Sequence, residues 1–195
     1  IDNSFFWVAN DLTVRRAATS PEIVSDNSVA ERLRENGAEN LRAWGFQYEG
    51  HSIYSLRIGH DATLCFDIGA GSWPRFKSFG QDTWRAHLGT QVSSDLIVCL
   101  DDNTGNVWRF DSSINTDAGA SLEREITGGI PIIGPPQKCA NVALYCSASW
   151  AEIDGEDTNP VVAMRYSDDG GNNWSSWLEE EMGPQGTYAG RVVWR

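Results

Sequence analysis

The chain has 195 residues and a mass of 21.5 kDa, the size of one domain or of the terminal half of a larger one. Its formal net charge of -12 at pH 7 repels phosphate backbones, which argues against sequence-specific binding of nucleic acid. No apolar run approaches the roughly 18–20 residues of a membrane-spanning helix, so no membrane partner is expected. Nine tryptophans supply ample material for a packed core.

The chain opens with short apolar runs separated by turn residues. Residues 4–9 and 12–15 flank Asn10 and Asp11, and this arrangement predicts a β-hairpin. Residues 20–25 are extended and begin near Pro21, which cannot donate a hydrogen bond within a central strand. They are therefore predicted to form an edge strand.

One short helix is predicted after this sheet. Ser28 is expected to cap it, because Glu31 follows three residues later at the spacing of a capping box. Val29 and Leu33 lie four residues apart and so share one face, and Gly37 is expected to end the helix. At about two turns, the segment is interpreted as an insertion between β elements.

From Trp44 onward the pattern favours β structure throughout, with apolar residues alternating at a period of two. Prolines in residues 130–136 are expected to interrupt strand pairing. The predicted strands are 46–48, 52–58, 62–67, 73–76, 95–100, 106–111, 122–127, 142–150, 161–166, 175–178 and 190–195.

Aromatic residues recur beside acidic or glycine turns. The examples are Phe66-Asp67 with Trp73, Trp108 with Phe110-Asp111, and Tyr166 with Trp174. Units of four strands at about 40–50 residues match the period of propeller blades. The prediction is an all-β, β-propeller-like domain over residues 1–195, with about four antiparallel blades and one short helical insertion. The blades would form a complete small propeller or part of a larger one.

The turn at residues 167–174 has the most specific pattern. Ser167, Asp169, Gly171 and Trp174 fit S-x-D-x-G-x-x-W, the Asp-box. Asp accepts backbone N–H groups within such a turn, Gly adopts a positive φ, and Trp folds back onto the hairpin to bury apolar surface. The interpretation is structural, and the alternative is a sugar or metal site.

Other candidate chemistry is weak. The pairs Asp101/Asp102 and Asp168/Asp169 lie at predicted hairpin tips, and neighbouring strand residues point to opposite faces, which does not suit a glycosidase. The Asp101-x-Asn103-x-Gly105 spacing only faintly matches a calcium loop. A sialidase would need a cluster of arginines to bind the carboxylate of its substrate. The chain has enough arginines for such a cluster, but the surrounding sequence singles out no three of them. The candidates are Arg57, Arg75, Arg85, Arg109 and Arg165. No catalytic, cofactor-binding or metal-binding residue is assigned, and no enzyme activity is expected.

The cysteines are interpreted as free thiols. Cys65 and Cys99 lie inside apolar strand-like runs, where cysteine behaves as a small core residue. Cys139 and Cys146 have no nearby histidine and form no C-x-x-C pair, which makes a zinc site improbable. This usage suits assembly in a reducing cytoplasm.

An ordered series of motifs resembles one family over nearly the whole chain. The matching stretches are Ile1-Asp2-Asn3-Ser4-x-Phe6-Trp7, Gly50-His51-x-Ile53-Tyr54-x-Leu56, Ala62-Thr63-Leu64-Cys65-Phe66-Asp67 with Gly71-Ser72-Trp73, residues 101–111, residues 164–175, and Gly183, Gly186, Tyr188 and Arg191-Val192-Val193-Trp194-Arg195. The chain resembles the carboxy-terminal region of the packaged-DNA stabilisation proteins of short-tailed bacteriophages, which are tail-accessory, tail-hub or head-closure proteins. Because the family's proteins are longer, the chain is expected to be the later part of one.

This resemblance implies a structural virion protein of the tail or neck, assembled in the host cytoplasm. It would form a homo-oligomeric ring, a hexamer by resemblance, between the portal or portal-adaptor protein and the tail needle or tailspike proteins. The ring would retain the packaged DNA. The alternative is a glycan-active or glycan-binding propeller, sialidase-like or lectin, in which Trp73, Trp84, Trp177 or Trp194 would stack on sugars.

Overall fold

The computed structural model of the protein describes residues 1–17, 19–111, 113–114, 116–128, 141–146, 161–169, 171–183 and 190–195. These residues are mostly β, with one short helix, and they form several antiparallel sheets. The chain divides into two compact units, Ile1–Arg124 and Glu125–Arg195. The sequence predicts a single domain over residues 1–195, and that remains a prediction. No helix in the described part has the length and hydropathy needed to cross a bilayer.

The first unit contains three main antiparallel sheets and one small two-stranded sheet. Their orders are β1-β2-β3, β4-β5-β6-β7, β10-β9-β8 and β11-β12. The strands are β1 (Phe5–Val8), β2 (Val14–Ala17), β3 (Pro21–Ile23), β4 (Leu41–Tyr48), β5 (His51–Ile58), β6 (Ala62–Asp67), β7 (Arg75–Phe76), β8 (Ala86–Ser93), β9 (Leu96–Asp101), β10 (Val107–Arg109), β11 (Thr116–Asp117) and β12 (Ala120–Ser121).

The second unit contains two two-stranded antiparallel sheets among its described residues. One pairs β13 (Val142–Cys146) with β16 (Gly190–Trp194), and the other pairs β14 (Val161–Met164) with β15 (Leu178–Glu181). The indole Nε1 of buried Trp194 donates to the carbonyl of Leu178 at 2.9 Å, which joins the two sheets.

Most of the predicted hairpins are confirmed, and several strand positions differ from the prediction. The hairpin of β1 and β2 and the edge strand β3 lie where they are expected. The predicted hairpin of β14 is also present, but its second strand is displaced: β15 is Leu178–Glu181 rather than residues 175–178. Residues 122–127 are not a strand: no strand in the described part pairs with them, and Ile126 is 96% exposed. Conversely, β8 was not predicted, because its alternation is broken by glycine and polar residues. Residues 130–136 and 147–150 lie outside the described residues.

The helix α1 (Asn27–Asn36) lies between β3 and β4, as the predicted insertion between β elements requires, and it packs into the core. Val29 and Leu33 are buried on its inner face, as the four-residue spacing predicts, and the helix ends at Gly37, whose φ is 74°. The prediction that Ser28 caps the helix is wrong. Asp26 is the N-cap, and its Oδ1 accepts the N–H of Val29 at 2.9 Å. The helix therefore begins two residues earlier than the capping-box pattern indicates.

We expect Asp26→Ala to lower the free energy of unfolding by about 1 kcal/mol, because one N–H of the first turn loses its acceptor. Ser28→Ala is the matched control and should change stability by less than about 0.5 kcal/mol. Urea denaturation followed by circular dichroism measures both. A larger loss for Ser28→Ala than for Asp26→Ala would contradict the observed cap.

The four-stranded sheet of the first unit is covered on both faces. On one face, Tyr54, Leu56 and Leu64 pack with α1 and with the β1–β3 sheet. On the other face, Trp44 and Phe46 pack with residues of β8 and β9. Because side chains alternate along a strand, β5 supplies both clusters, with Leu56 in the first and Ile53 in the second. The three sheets are thus stacked face to face, with β4–β7 in the middle.

Candidate functional site

The Asp-box residues meet in the loop between β14 and β15. The hydroxyl of Ser167 accepts the N–H of Gly171 at 2.8 Å and donates to Oδ1 of Asp169 at 2.8 Å. Asp169 Oδ1 also accepts the N–H of Asn173 at 2.8 Å. Gly171 has a φ of 94°, the left-handed conformation that this turn requires of it. The motif's polar atoms therefore bond to the loop's own backbone.

Trp174 folds back onto the loop, but it is less buried than expected. Its Nε1 donates to the carbonyl of Gly171 at 3.1 Å, and 40% of the residue remains exposed. The guanidinium of Arg165 lies 4.8 Å from the Trp174 ring centroid and 4.4 Å from that of Trp177. Arg165 also bonds to Glu125 at 2.6 Å. We call Trp174, Arg165 and Trp177 the Trp–Arg–Trp stack.

The turn stabilises the ionised form of Asp169. The backbone N–H and side-chain amide of Asn173, together with the Ser167 hydroxyl, lower the pKa of Asp169 to about 2. A carboxyl whose pKa is lowered by folding stabilises the folded state above its ordinary pKa, and this contribution is lost as the pH falls through the lowered value. The turn is therefore expected to loosen only in strong acid.

We expect Ser167→Ala to raise the pKa of Asp169 toward its ordinary value, because the carboxylate loses one hydrogen-bond donor. A pH titration of the Asp169 carboxyl carbon by NMR measures the change. Ser176→Ala, three residues beyond the Asn173 donor, is the control and should leave this pKa in place. An unchanged pKa in Ser167→Ala would contradict the assigned bond.

A second turn with the same residue spacing lies in the first unit. Asp101, Asn103, Gly105 and Trp108 stand at the positions of Ser167, Asp169, Gly171 and Trp174. Oδ1 of Asp101 accepts the N–H of Asn103 at 3.0 Å, just as Ser167 Oγ faces the N–H of Asp169 at 3.4 Å. In the sequence these residues match a calcium loop only faintly. The shared spacing was the signal that could have identified the turn.

A third turn follows the same backbone plan. Asp67 ends β6, its Oδ1 accepts the N–H of Gly69 at 2.9 Å, and its carbonyl accepts the N–H of Gly71 at 2.8 Å. The carbonyl of Asp101 likewise accepts the N–H of Gly105 at 2.8 Å. Gly71 and Gly105 both have positive φ values, 64° and 72°. The loose aromatic repeat in the sequence thus corresponds in part to one recurring hairpin turn.

Asp101 does more than close its turn. It is 1% exposed, and Thr104 Oγ1 donates to its Oδ2 at 2.9 Å, while Trp108 Nε1 and Arg85 Nη1 approach the same oxygen at 3.4 and 3.5 Å. Arg85 Nε bonds to Asp117 at 2.8 Å. Burial alone would raise the pKa of Asp101, but these hydrogen bonds and the Arg85 charge outweigh it and hold the pKa below its ordinary value.

The five arginines that were considered as a carboxylate clamp bond to different acidic residues. Arg57, almost fully buried, bonds to Asp102 at 3.0 Å. The other pairs are Arg75 with Asp82, Arg85 with Asp101 and Asp117, Arg109 with Asp111, and Arg165 with Glu125. Asp101, the last residue of β9, and Asp102, in the turn after it, therefore serve separate ion pairs.

The remaining candidates have structural surroundings. Cys65 and Cys99 are buried free thiols, and burial raises their pKa values to about 12 and about 11. Cys146 is also a free thiol, and Cys139 lies outside the described residues. His51 Nδ1 lies 2.7 Å from Asp67. Within the residues that the structure describes, no three His, Cys, Asp or Glu side chains are grouped to hold a metal ion.

The first strands of the three main sheets meet at one open depression. Its volume is about 460 Å³, and it is lined by Phe5 and Phe6 of β1, residues 43–47 of β4 and Gln91 of β8. The Gln91 amide bridges strands: its Oε1 accepts the N–H of Gln47 at 2.8 Å and its Nε2 donates to the Gln47 carbonyl at 3.2 Å. Each sheet thus places its first strand on the same side of the stack.

The chain was compared with known proteins by sequence. No protein-family model matches it, and no curated protein matches it significantly.

Proposed function

We propose that the chain is a non-enzymatic structural protein of a short-tailed bacteriophage virion, a propeller-like tail-hub or head-closure component. In this proposal the sheets β1–β3, β4–β7 and β8–β10 are successive blades, and the chain forms a homo-oligomeric ring. The ring lies between the portal or portal-adaptor protein and the tail needle or tailspike proteins, where it helps to retain the packaged DNA.

One observation carries the propeller part of the proposal: three antiparallel sheets stack face to face, and their first strands line one depression. Propeller blades pack in this way around an axis, each with its first strand innermost. The four-stranded β4-β5-β6-β7 meander has the topology of one blade. The repeated Asp and Gly turns at Asp67 and Asp101 add a sequence-level repeat.

The virion part of the proposal depends on the ordered series of motifs that resembles the packaged-DNA stabilisation proteins. The hydrogen bonds of the Asp-box, the net charge and the packing of the first unit are consistent with it. The described Asp-box atoms bond to their own loop, so the motif acts as a turn lock. A net charge of -12 keeps the protein from gripping DNA that passes a channel. A retaining ring needs rigidity, and the central sheet with a hydrophobic cluster on each face provides it.

Mass spectrometry of purified virions tests the location. Peptides of the chain should be found in particles and should be depleted from empty heads that lack tails. Electron microscopy of the purified chain mixed with portal and portal-adaptor proteins of the same phage should then reveal rings. Absence of the chain from infectious particles, or sialoside turnover by the purified protein, would contradict the proposal.

A further inference from the structure

The structure separates the four tryptophans that the sequence offered as sugar-stacking residues. Trp194 is buried, and Trp73 and Trp84 pack against the two hydrophobic clusters of the first unit. Trp177 is different, because 48% of it is exposed and it lies outside the Asp-box pattern. Closing the turn does not require Trp177, so its position needs another explanation.

The Trp–Arg–Trp stack holds its two indoles in a defined orientation. The guanidinium carbon of Arg165 lies over both rings, 4.8 Å and 4.4 Å from the centroids of Trp174 and Trp177. Glu125 fixes Arg165 through a 2.6 Å bond, and Gly171 fixes Trp174 through its carbonyl. Each indole uses one face on the cation. The two residues are still 40% and 48% exposed, which leaves apolar side-chain surface toward solvent.

Preorganised flat aromatic surface beside polar groups is the chemistry of a sugar platform. A pyranose ring can lay its apolar C–H face on an indole while its hydroxyls bond to neighbouring polar atoms. The same loop exposes the Asp168 carboxylate and the Tyr166 side chain. Rigid rings add affinity because little side-chain entropy is lost on binding.

The charge of the hairpin selects the class of sugar. Residues 161–181 contain one arginine against two aspartates and three glutamates, so their net charge is +1 − 5 = −4. Glu125, beyond the hairpin, neutralises the arginine. Sialosides and sugar phosphates are therefore repelled, whereas neutral sugars are not.

We propose that the Trp–Arg–Trp stack is a binding site for neutral carbohydrate, with one pyranose ring stacked on the exposed face of Trp177. This site is independent of the proposed position in the tail, because virion composition and carbohydrate binding are measured separately.

A glycan array probed with the purified full chain is the first test, and signals on neutral glycans are expected. Chitotetraose and maltotetraose are then titrated while the indole N–H resonances are followed by NMR. The Trp177 resonance should shift with the neutral ligand. Trp177→Ala should weaken binding about tenfold, about 1.4 kcal/mol, and Trp177→Phe should retain part of the affinity.

Trp7→Ala is the matched control, because Trp7 is 37% exposed on β1 in the first unit and no arginine of the described residues stacks on its ring. It should bind like the wild type. The proposal is overturned if no neutral glycan binds, if only acidic glycans bind, or if the resonance shifts occur away from Trp177. Binding of a proline-rich peptide in the absence of any glycan signal would also overturn it. If Trp177→Ala unfolds, Trp177→Phe and the wild-type shifts decide the matter.

Discussion

Asp101→Ala is expected to lower the free energy of unfolding of the first unit by about 3–5 kcal/mol, the usual cost of removing one partner from a buried ion pair. The carboxylate is 1% exposed and accepts hydrogen bonds from Asn103 and Thr104. Without it, the indole N–H of Trp108 and one side of Arg85 lose their acceptor. Buried donors without acceptors are costly because water cannot replace the lost partner.

Urea denaturation at pH 7 measures this effect, and Asp82→Ala is the control. Asp82 also pairs with an arginine, but its side chain is 84% exposed, so its loss should cost less than about 0.5 kcal/mol. Asp101→Asn should recover only part of the stability. Its side-chain oxygen can still accept a hydrogen bond, but its NH2 group is a donor and would face Thr104 and Arg85, which are donors as well. Equal stabilities for Asp101→Ala and Asp82→Ala would contradict the buried network.

The same residue has a predicted pH dependence. Its pKa is lowered in the folded protein, so its contribution is fully present above the ordinary aspartate value of about 3.9 and is lost as the pH falls through the lowered value. The stability difference between wild type and Asp101→Ala should therefore shrink below about pH 4. A difference that grows in acid would have the wrong sign for this environment.

Gly89→Ala is the second large effect, with an expected loss of about 1–3 kcal/mol from overpacking. A Cβ at this position would lie 2.6–2.8 Å from three ring atoms of Trp44. The indole cannot retreat easily, because it stacks on Phe46 at 4.6 Å and its Nε1 donates to the carbonyl of Ala86 at 3.2 Å. Thermal unfolding and urea denaturation both measure the loss.

Gly69→Ala is the matched control, because the nearest atom to its new Cβ would be an Asp67 oxygen at an ordinary 3.5 Å. A double-mutant cycle sharpens the test. In a Trp44→Leu background the clash is removed, so Gly89→Ala should cost less than about 0.5 kcal/mol there. Equal costs of Gly89→Ala in both backgrounds would show that Trp44 is not the opposing group.

Local chemistry explains which parts of the site could be predicted. The Asp-box pattern contains its own donors and acceptors within eight residues, so Ser167, Asp169 and Gly171 could be assigned roles before any fold was known. The turn at Asp101 has the same spacing. It does not match the Asp-box pattern in the sequence, because Asp101 stands at the position of the serine and Asn103 at the position of the aspartate. Trp177 lies outside the pattern, and only its contact with Arg165 reveals it.

Period-two alternation and turn residues by themselves determined the β class of this protein, most of its hairpins and the Asp-box turn, because neighbours along the chain form those interactions. The three-dimensional structure, and not the sequence pattern, showed that Asp26 rather than Ser28 caps the helix, that residues 122–127 are not a strand, and that β8 is one. It also decided which carboxylate each arginine meets and which face of the middle sheet meets which neighbour. The ion pairs and the packing of the sheet faces depend on residues tens of positions apart, such as Arg57 and Asp102, whose proximity is set by packing.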